Sequence, residues 1–235
     1  MSESTNRAPL DAELGQLSAQ LLAMGGLAES QLSQALYAIT RASGETASQV
    51  LELERRVNAG EVAIERELWA LVARQQPNSR DLRLLIAVSK MVRDIERIGD
   101  EASRVARIAH RLLGHGLVGP LREPLKAIGS TGQLALRELR QALDAFARQD
   151  VELALEVLRS DELLDAGFDQ LMRSLVQLMG DDPRTISSGI DLIFAAKALE
   201  RVGDHAKNLA EQVIYCVKGT DVRHTPLGGV EALVN

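Results

Sequence analysis

Glu96 and Asp100 stand four residues apart in the run Glu96-Arg97-Ile98-Gly99-Asp100, and Glu200 and Asp204 repeat the spacing in Glu200-Arg201-Val202-Gly203-Asp204. On a helix this spacing projects both carboxylates from one face, where they can share a ligand. Asp161 and Asp165 keep the same interval, whereas Glu54 is followed by Asn58, with Glu61 and Glu65 further along that line. Asp161 lies four residues after Val157 and three before Leu164, and Asp165 lies three before Phe168, so both intrude on an apolar stripe. A charge placed there must be paired or bound to a metal, because unpaired burial disfavours the ionised form. Two chemistries fit. Acids converging from neighbouring helices would make an oxygen-rich site for Fe, Mn, Mg or Zn, or each acid is the ion-pair partner of an arginine and nothing binds. A Glu-x-x-x-Asp interval is common in any charged helix. Its duplication with flanking Arg and Gly is more specific, yet from the pattern alone the ion-pair reading stays ahead of the cluster.

Gly99 and Gly203 sharpen the second half of that argument. Glycine inside a helix costs about 1 kcal/mol relative to alanine, and the equivalent position bears it twice. Close approach of a neighbouring helix or of a bound ion is the expected return. Arg97 and Arg201 point off the carboxylate line and are expected to brace an acid of an adjacent helix.

The elements that carry these residues are helices. Apolar residues recur at three- and four-residue spacing over 10–41, 46–74 and 79–113, and again over 125–147, 150–179 and 183–218. Ser43-Gly44, Pro77-Asn78, the Gly- and Pro-rich stretch 114–124, Gln149-Asp150 and Gly180 to Pro183 punctuate them. Overlaying Ile86 to Ala109 on Ile190 to Val213 at a constant offset makes Ile86, Glu96, Arg97, Gly99, Asp100, Ala102 and Ala106 recur as Ile190, Glu200, Arg201, Gly203, Asp204, Ala206 and Ala210. The second helices align more weakly, Glu54, Val57 and Asn58 opposite Asp161, Leu164 and Asp165. The expected fold is all-α, two tandem three-helix bundles at 10–113 and 125–219 joined by a linker at 114–124, with a flexible tail at 220–235.

Composition agrees and removes whole classes of function. Aromatic residues are 3% of the chain and hydrophobic residues 46%, which suits soluble helices better than sheets. A net charge of -6 leaves no basic excess to displace the counterions of nucleic acid. The single cysteine, Cys216, cannot close an internal disulfide and reads as packing. No run approaches the ~20 apolar residues of a membrane span, and the N-terminal residues lack the pattern of a signal peptide, so the cytoplasm is the expected compartment, with any membrane contact made through partners. No Glu-x-x-His pair occurs, which removes the usual ligands of a di-iron oxidase. Phosphate-loop and nucleophile-elbow patterns are missing too. His205 follows Asp204, but its counterpart is Glu101, so a surface or supporting role is expected; His110, His115 and His224 are isolated.

The segments Asp94-Ile-Glu-Arg-Ile-Gly-Asp100 and Leu199-Glu-Arg-Val-Gly-Asp-His-Ala206, with Gln76-Pro77 and Asp81-Leu-Arg83 upstream, resemble the signature of the PhoU family over residues 10–219. The resemblance implies two three-helix bundles, often a homodimer, that restrain phosphate uptake and the phosphate-starvation response by acting between a phosphate ABC transporter ATPase and a sensor histidine kinase. Contact would replace catalysis. It also implies multinuclear metal clusters, iron or zinc among them, on motifs matching Glu96 and Asp100, Glu200 and Asp204, and Asp161 and Asp165, with Glu54 as the first-half addition. Asn58 stands where an acid would be expected, so the second-half site is the better candidate. A metal-dependent helical-bundle enzyme and a purely structural adaptor remain as alternatives.

Overall fold

A computed structural model describes residues 7–75, 77–115 and 119–234. Six long helices and one short one account for the elements: α1 Arg7–Arg41, α2 Gly44–Arg74, α3 Ser79–His115, α4 Arg122–Arg148, α5 Val151–Asp181, α6 Ile186–Lys218 and α7 Leu227–Val234, with 3-10 turns at Gly119–Leu121 and Pro183–Thr185. There is no strand among the described residues. None of these helices is long and apolar enough to cross a membrane. Gln76 of the upstream motif and residues 116–118 of the expected linker lie outside the described residues.

The punctuation read from sequence has local causes. Ser43 Oγ accepts from Thr46 N–H and starts α2, Asn78 Oδ1 accepts from the N–H groups of Arg80 and Asp81 to start α3, and Asp150 Oδ1 accepts from Leu153 N–H to start α5. At Gln149, with φ 54, the chain reverses between α4 and α5, and Gly219, with φ 77, ends α6 in the left-handed conformation that glycine adopts without steric cost. Pro183 falls in a 3-10 turn ahead of α6 rather than in its first turn.

Helices α1, α2 and α3 pack pairwise into one bundle, and α4, α5 and α6 into another. The two are not separate bodies joined by a tether. Antiparallel α3 and α6 form the most extensive helix pair of the molecule, and α1 also touches α4. Leu17, Leu32, Met91 and Ile95 belong to the same buried cluster as Leu139, Leu164 and Leu199, so a single apolar core runs through both halves. Polar pairs fix the α3–α6 register at three levels: Arg111 donates to Asp191 at 2.7 Å, Arg201 to Glu101 at 3.1 Å, and Asn208 to Asp94 at 3.0 Å.

The segment beyond Gly219 corrects the expectation of a flexible tail. Residues Leu227–Val234 form α7, which packs on α5 and buries Val230 and Val234 in the core cluster. Arg159 of α5 pairs with Glu231, and Lys218 donates to the carbonyl oxygen of Val234 at 2.6 Å. An eight-residue helix is too short to persist alone, so this apolar contact is what holds it.

Candidate carboxylate faces and the interior glutamate

In the second half, α5 presents Asp161 and Asp165 towards the α6 acids Glu200 and Asp204, and α4 adds a fifth carboxylate, Glu138. Burial first, and then the charges of Glu200, Asp161 and Asp165, raise the Asp204 carboxyl, with Lys197 acting against them. Asp165 is raised by the same kind of sum: burial, then Asp161, opposed by Lys207. These expected residues are therefore brought into one electrostatic neighbourhood. Of the two thought to intrude on an apolar stripe, only Asp161 is buried, 5% exposed; Asp165 lies at the surface.

Lysines stand between the acids. Lys207 Nζ donates to Asp161 Oδ2 at 2.5 Å, and Lys197 pairs with Glu200 while lying over the Phe168 ring. Burial acts to lower the Lys207 ammonium, but the hydrogen bond and charge of Asp161 overcome it and leave the group raised.

Glu138 is the residue that sequence reasoning missed. It is 1% exposed in the middle of the apolar face of α4; Ser160 Oγ donates to Oε1 at 2.9 Å, and Oε2 is buried without a partner. Burial raises its carboxyl to about 7, the Ser160 hydrogen bond works against that, and Asp161 and Asp165 push it further up. The corresponding place in the first half is taken by Gln31 of α1, which donates from Nε2 to the Gly99 carbonyl oxygen at 2.9 Å and to Ser103 Oγ at 2.8 Å. A Cβ at Gly99 would meet Gln31 and Val57, and one at Gly203 would meet Leu164 and Glu138. Each motif glycine thus lets a polar side chain of its own bundle reach the third helix. The signal was available: Glu138 lies 107 residues after Gln31, the interval that relates Val57 to Leu164.

The first-half face is looser. Glu96 and Glu61 are both raised by burial before anything else, Glu96 then by Asp100 and Glu61, and Glu61 by Glu65, while Arg97 lowers both. Arg97 lies 3.5 Å from Glu96 and 3.4 Å from Asp100, both on its own helix. Of the two motif arginines, it is Arg201 that braces a neighbouring helix, through Glu101, which it shares with Arg104. Glu54 does not join this group. The rotation of α2 turns it to Arg107, whose Nη2 donates to both of its carboxylate oxygens at 3.0 and 3.1 Å. His205 sits across the α3–α6 seam, its Nδ1 2.8 Å from Asp94 Oδ1, in a supporting position.

Among the described residues no three His, Cys, Asp and Glu side chains come together as a set that could hold a metal ion. With Lys207, Lys197 and Arg97 already on their oxygens, the acids do not stand as a ready ligand shell. The Cys216 thiol, pushed up to about 11 by burial, stays protonated and unreactive at neutral pH.

Comparison with known proteins places this arrangement. The family described as the PhoU domain matches residues 21–109 and 128–213. A phosphate-specific transport system accessory protein PhoU homolog from Pseudomonas aeruginosa is 46% identical over 217 residues, 92% of this chain and 88% of that protein. The accessory protein PhoU of Escherichia coli K12 is 36% identical over 222 residues, 94% of this chain and 89% of that protein. The crystal structure of PhoU from Pseudomonas aeruginosa, 45% identical, covers 89% of this chain and 99% of its own with a TM-score of 0.84. The phosphate transport system regulatory protein PhoU from Streptococcus pneumoniae, 28% identical, covers 91% and 99% with a TM-score of 0.82.

Proposed function

The chain belongs to the PhoU family, and from that premise we propose that it is an accessory regulator of phosphate-specific transport that works in the cytoplasm by contact. It restrains phosphate uptake and the starvation response by binding a phosphate ABC transporter ATPase and a sensor histidine kinase, favouring the inactive or phosphatase state of the kinase when phosphate is plentiful. No reaction is required of it. Preferential binding to one kinase state shifts the population by the difference in affinity alone.

One observation carries the contact reading: apolar side chains line the outside of helices whose inner faces are already packed. Trp69, the chain's one tryptophan, is 69% exposed on α2, with Val62 seven residues before it and Val72 three after. On α6, Ile186, Ile190 and Phe194 follow at four-residue spacing, all exposed, with Phe194 at 54%. Aromatic and aliphatic groups held out on rigid helices are the usual anchors of protein interfaces. Deleting the gene tests the reading. Phosphatase expression should rise in phosphate-rich medium, and expression unchanged from the parent strain contradicts the proposal.

A second reading concerns the second-half acids. The way Asp161 and Glu200, adding to burial, raise the Asp165 and Asp204 carboxyls favours a cation, iron, zinc, manganese or magnesium, that displaces Lys207 and Lys197 from their oxygens. Elemental analysis decides it: stoichiometric metal that is lost in Asp165→Ala and Glu200→Ala supports the site, and none in either protein removes it.

A further inference from the structure

Beside the first-half carboxylate face, whose Glu61 feels the charge of Arg93, a cavity of about 420 Å³ opens between α3, α6 and the segment leading to α7. Lys90, Arg93 and Arg223 line it together with Ser89, Asn208 and Gln212, and Asp94 is its one carboxylate. Asp94 is already engaged, by Asn208 and His205. Arg223 is oriented by a two-pronged pair with Asp221, outside the lining. Arg93 makes no ion pair or hydrogen bond among the described residues, and Lys90 lies 5.7 Å over the Tyr215 ring rather than on an acid. Among the described residues neither cation is held in a hydrogen-bonded ion pair, although Arg93 acts on Glu61 and Lys90 on Asp221 through charge alone.

Gln212 supplies an independent pointer. It is 4% exposed, lines the same cavity, and its Oε1 is buried with no hydrogen-bond partner. A buried amide oxygen without a partner is costly, and half a turn about the terminal bond presents two N–H donors in the same place. The internal repeat does not generate this lining. At the repeat-related positions Lys90 is replaced by Phe194, Asp94 by Ala198 and Gln212 by Ile108. A feature that departs from the duplication in three places at once belongs to one half only.

We propose that this cavity binds the phosphoryl group of a small phosphorylated anion. Lys90 and Arg93 supply the charge, Gln212 and Ser89 the neutral donors, and Arg223, held by Asp221, closes the far side. Guanidinium and ammonium groups beside neutral N–H and O–H donors match a tetrahedral oxyanion, and the volume has room for more than the oxyanion itself. The site stands independently of the docking reading, because binding is measured on the isolated chain.

Calorimetric titration of the full chain with inorganic phosphate and, separately, with ATP tests it. One equivalent of at least one probe should bind saturably, and the Lys90→Ala, Arg93→Ala double variant should weaken it roughly tenfold or more at unchanged helicity. Saturation by inorganic phosphate identifies free phosphate as the source; saturation by ATP alone identifies a nucleotide-borne phosphoryl group. If the double variant loses helicity, Arg93→Ala and Gln212→Glu are measured instead, and each should weaken binding in the same direction. No saturation by either probe up to about 10 mM, or affinity unchanged in a folded variant, overturns the proposal.

Discussion

Glu138 Oε2 lies 3.2 Å from where a Cβ would stand on Gly203, so the absence of a side chain on α6 is what leaves room for a carboxyl inside the second bundle. In the first bundle Gln31 occupies the same relation to Gly99 and satisfies the helix backbone as a neutral donor. The repeat has kept the geometry and exchanged an amide for an acid.

That exchange makes stability depend on pH in a defined direction. The Glu138 carboxyl rises from 4.5 to about 7 on folding, so the native state holds the proton more tightly than the unfolded chain. Its contribution is fully present below about pH 4.5 and is lost as pH rises through about 7. Glu138→Gln should match the parent at pH 5 and exceed it at pH 8, by on the order of 1–3 kcal/mol. Urea unfolding of both proteins at the two pH values checks this, and parallel curves would count against the assignment.

The two glycines should not be equally replaceable. A Cβ at Gly203 would lie 2.0 Å from Leu164 Cδ2, a fully buried side chain, whereas at Gly99 the nearest atom is Gln31 Oε1 at 3.0 Å. Gly203→Ala should destabilise by about 1–3 kcal/mol from overpacking. Gly99→Ala should cost less, because alanine's helix propensity returns about 1 kcal/mol. Denaturant midpoints give the order.

Asp161 has one strong partner and little water. Replacing Lys207 by Met leaves the carboxylate buried and unpaired, a loss of about 1–3 kcal/mol given that the lysine end is 39% exposed. Adding Asp161→Asn should recover part of it. A double-mutant cycle reports the coupling, and additive single effects would show that the pair is not one unit.

Trp69→Ala and Phe194→Ala remove exposed surface and no core contact. Both variants should keep the parent melting temperature to within about 2 °C, yet fail to repress phosphatase in phosphate-rich cells when they replace the native gene. Full repression by both would detach the apolar lines from function.

The six long helices, the doubled motif and most helix boundaries were legible in the sequence because each rests on local chemistry: periodic Leu and Ala, side-chain caps at Ser43, Asn78 and Asp150, and turns at Gln149 and Gly219. Partnerships between helices were less so. Glu54 and Glu96 were grouped because both carry acids at helical spacing, but the rotation of α2 about its own axis decides that Glu54 meets Arg107. Glu138 was passed over because an acid among leucines looks like ordinary amphipathic patterning unless α4 is aligned on α1. The order of α7 depends on a nonlocal contact with α5, which no window along the tail can reveal. Arg97 and Arg201 differ for a similar reason: the residue facing Arg201 across the seam is Glu101, and the repeat puts His205 at the related position.

The central claim is that this chain acts by touching two other proteins. A pull-down with the tagged chain from phosphate-replete cells, scored by mass spectrometry for a sensor histidine kinase and a phosphate ABC transporter ATPase, tests it most directly. Both should be captured by the parent chain and lost with Trp69→Ala or Phe194→Ala. Capture of neither by a folded, functional chain would contradict the account.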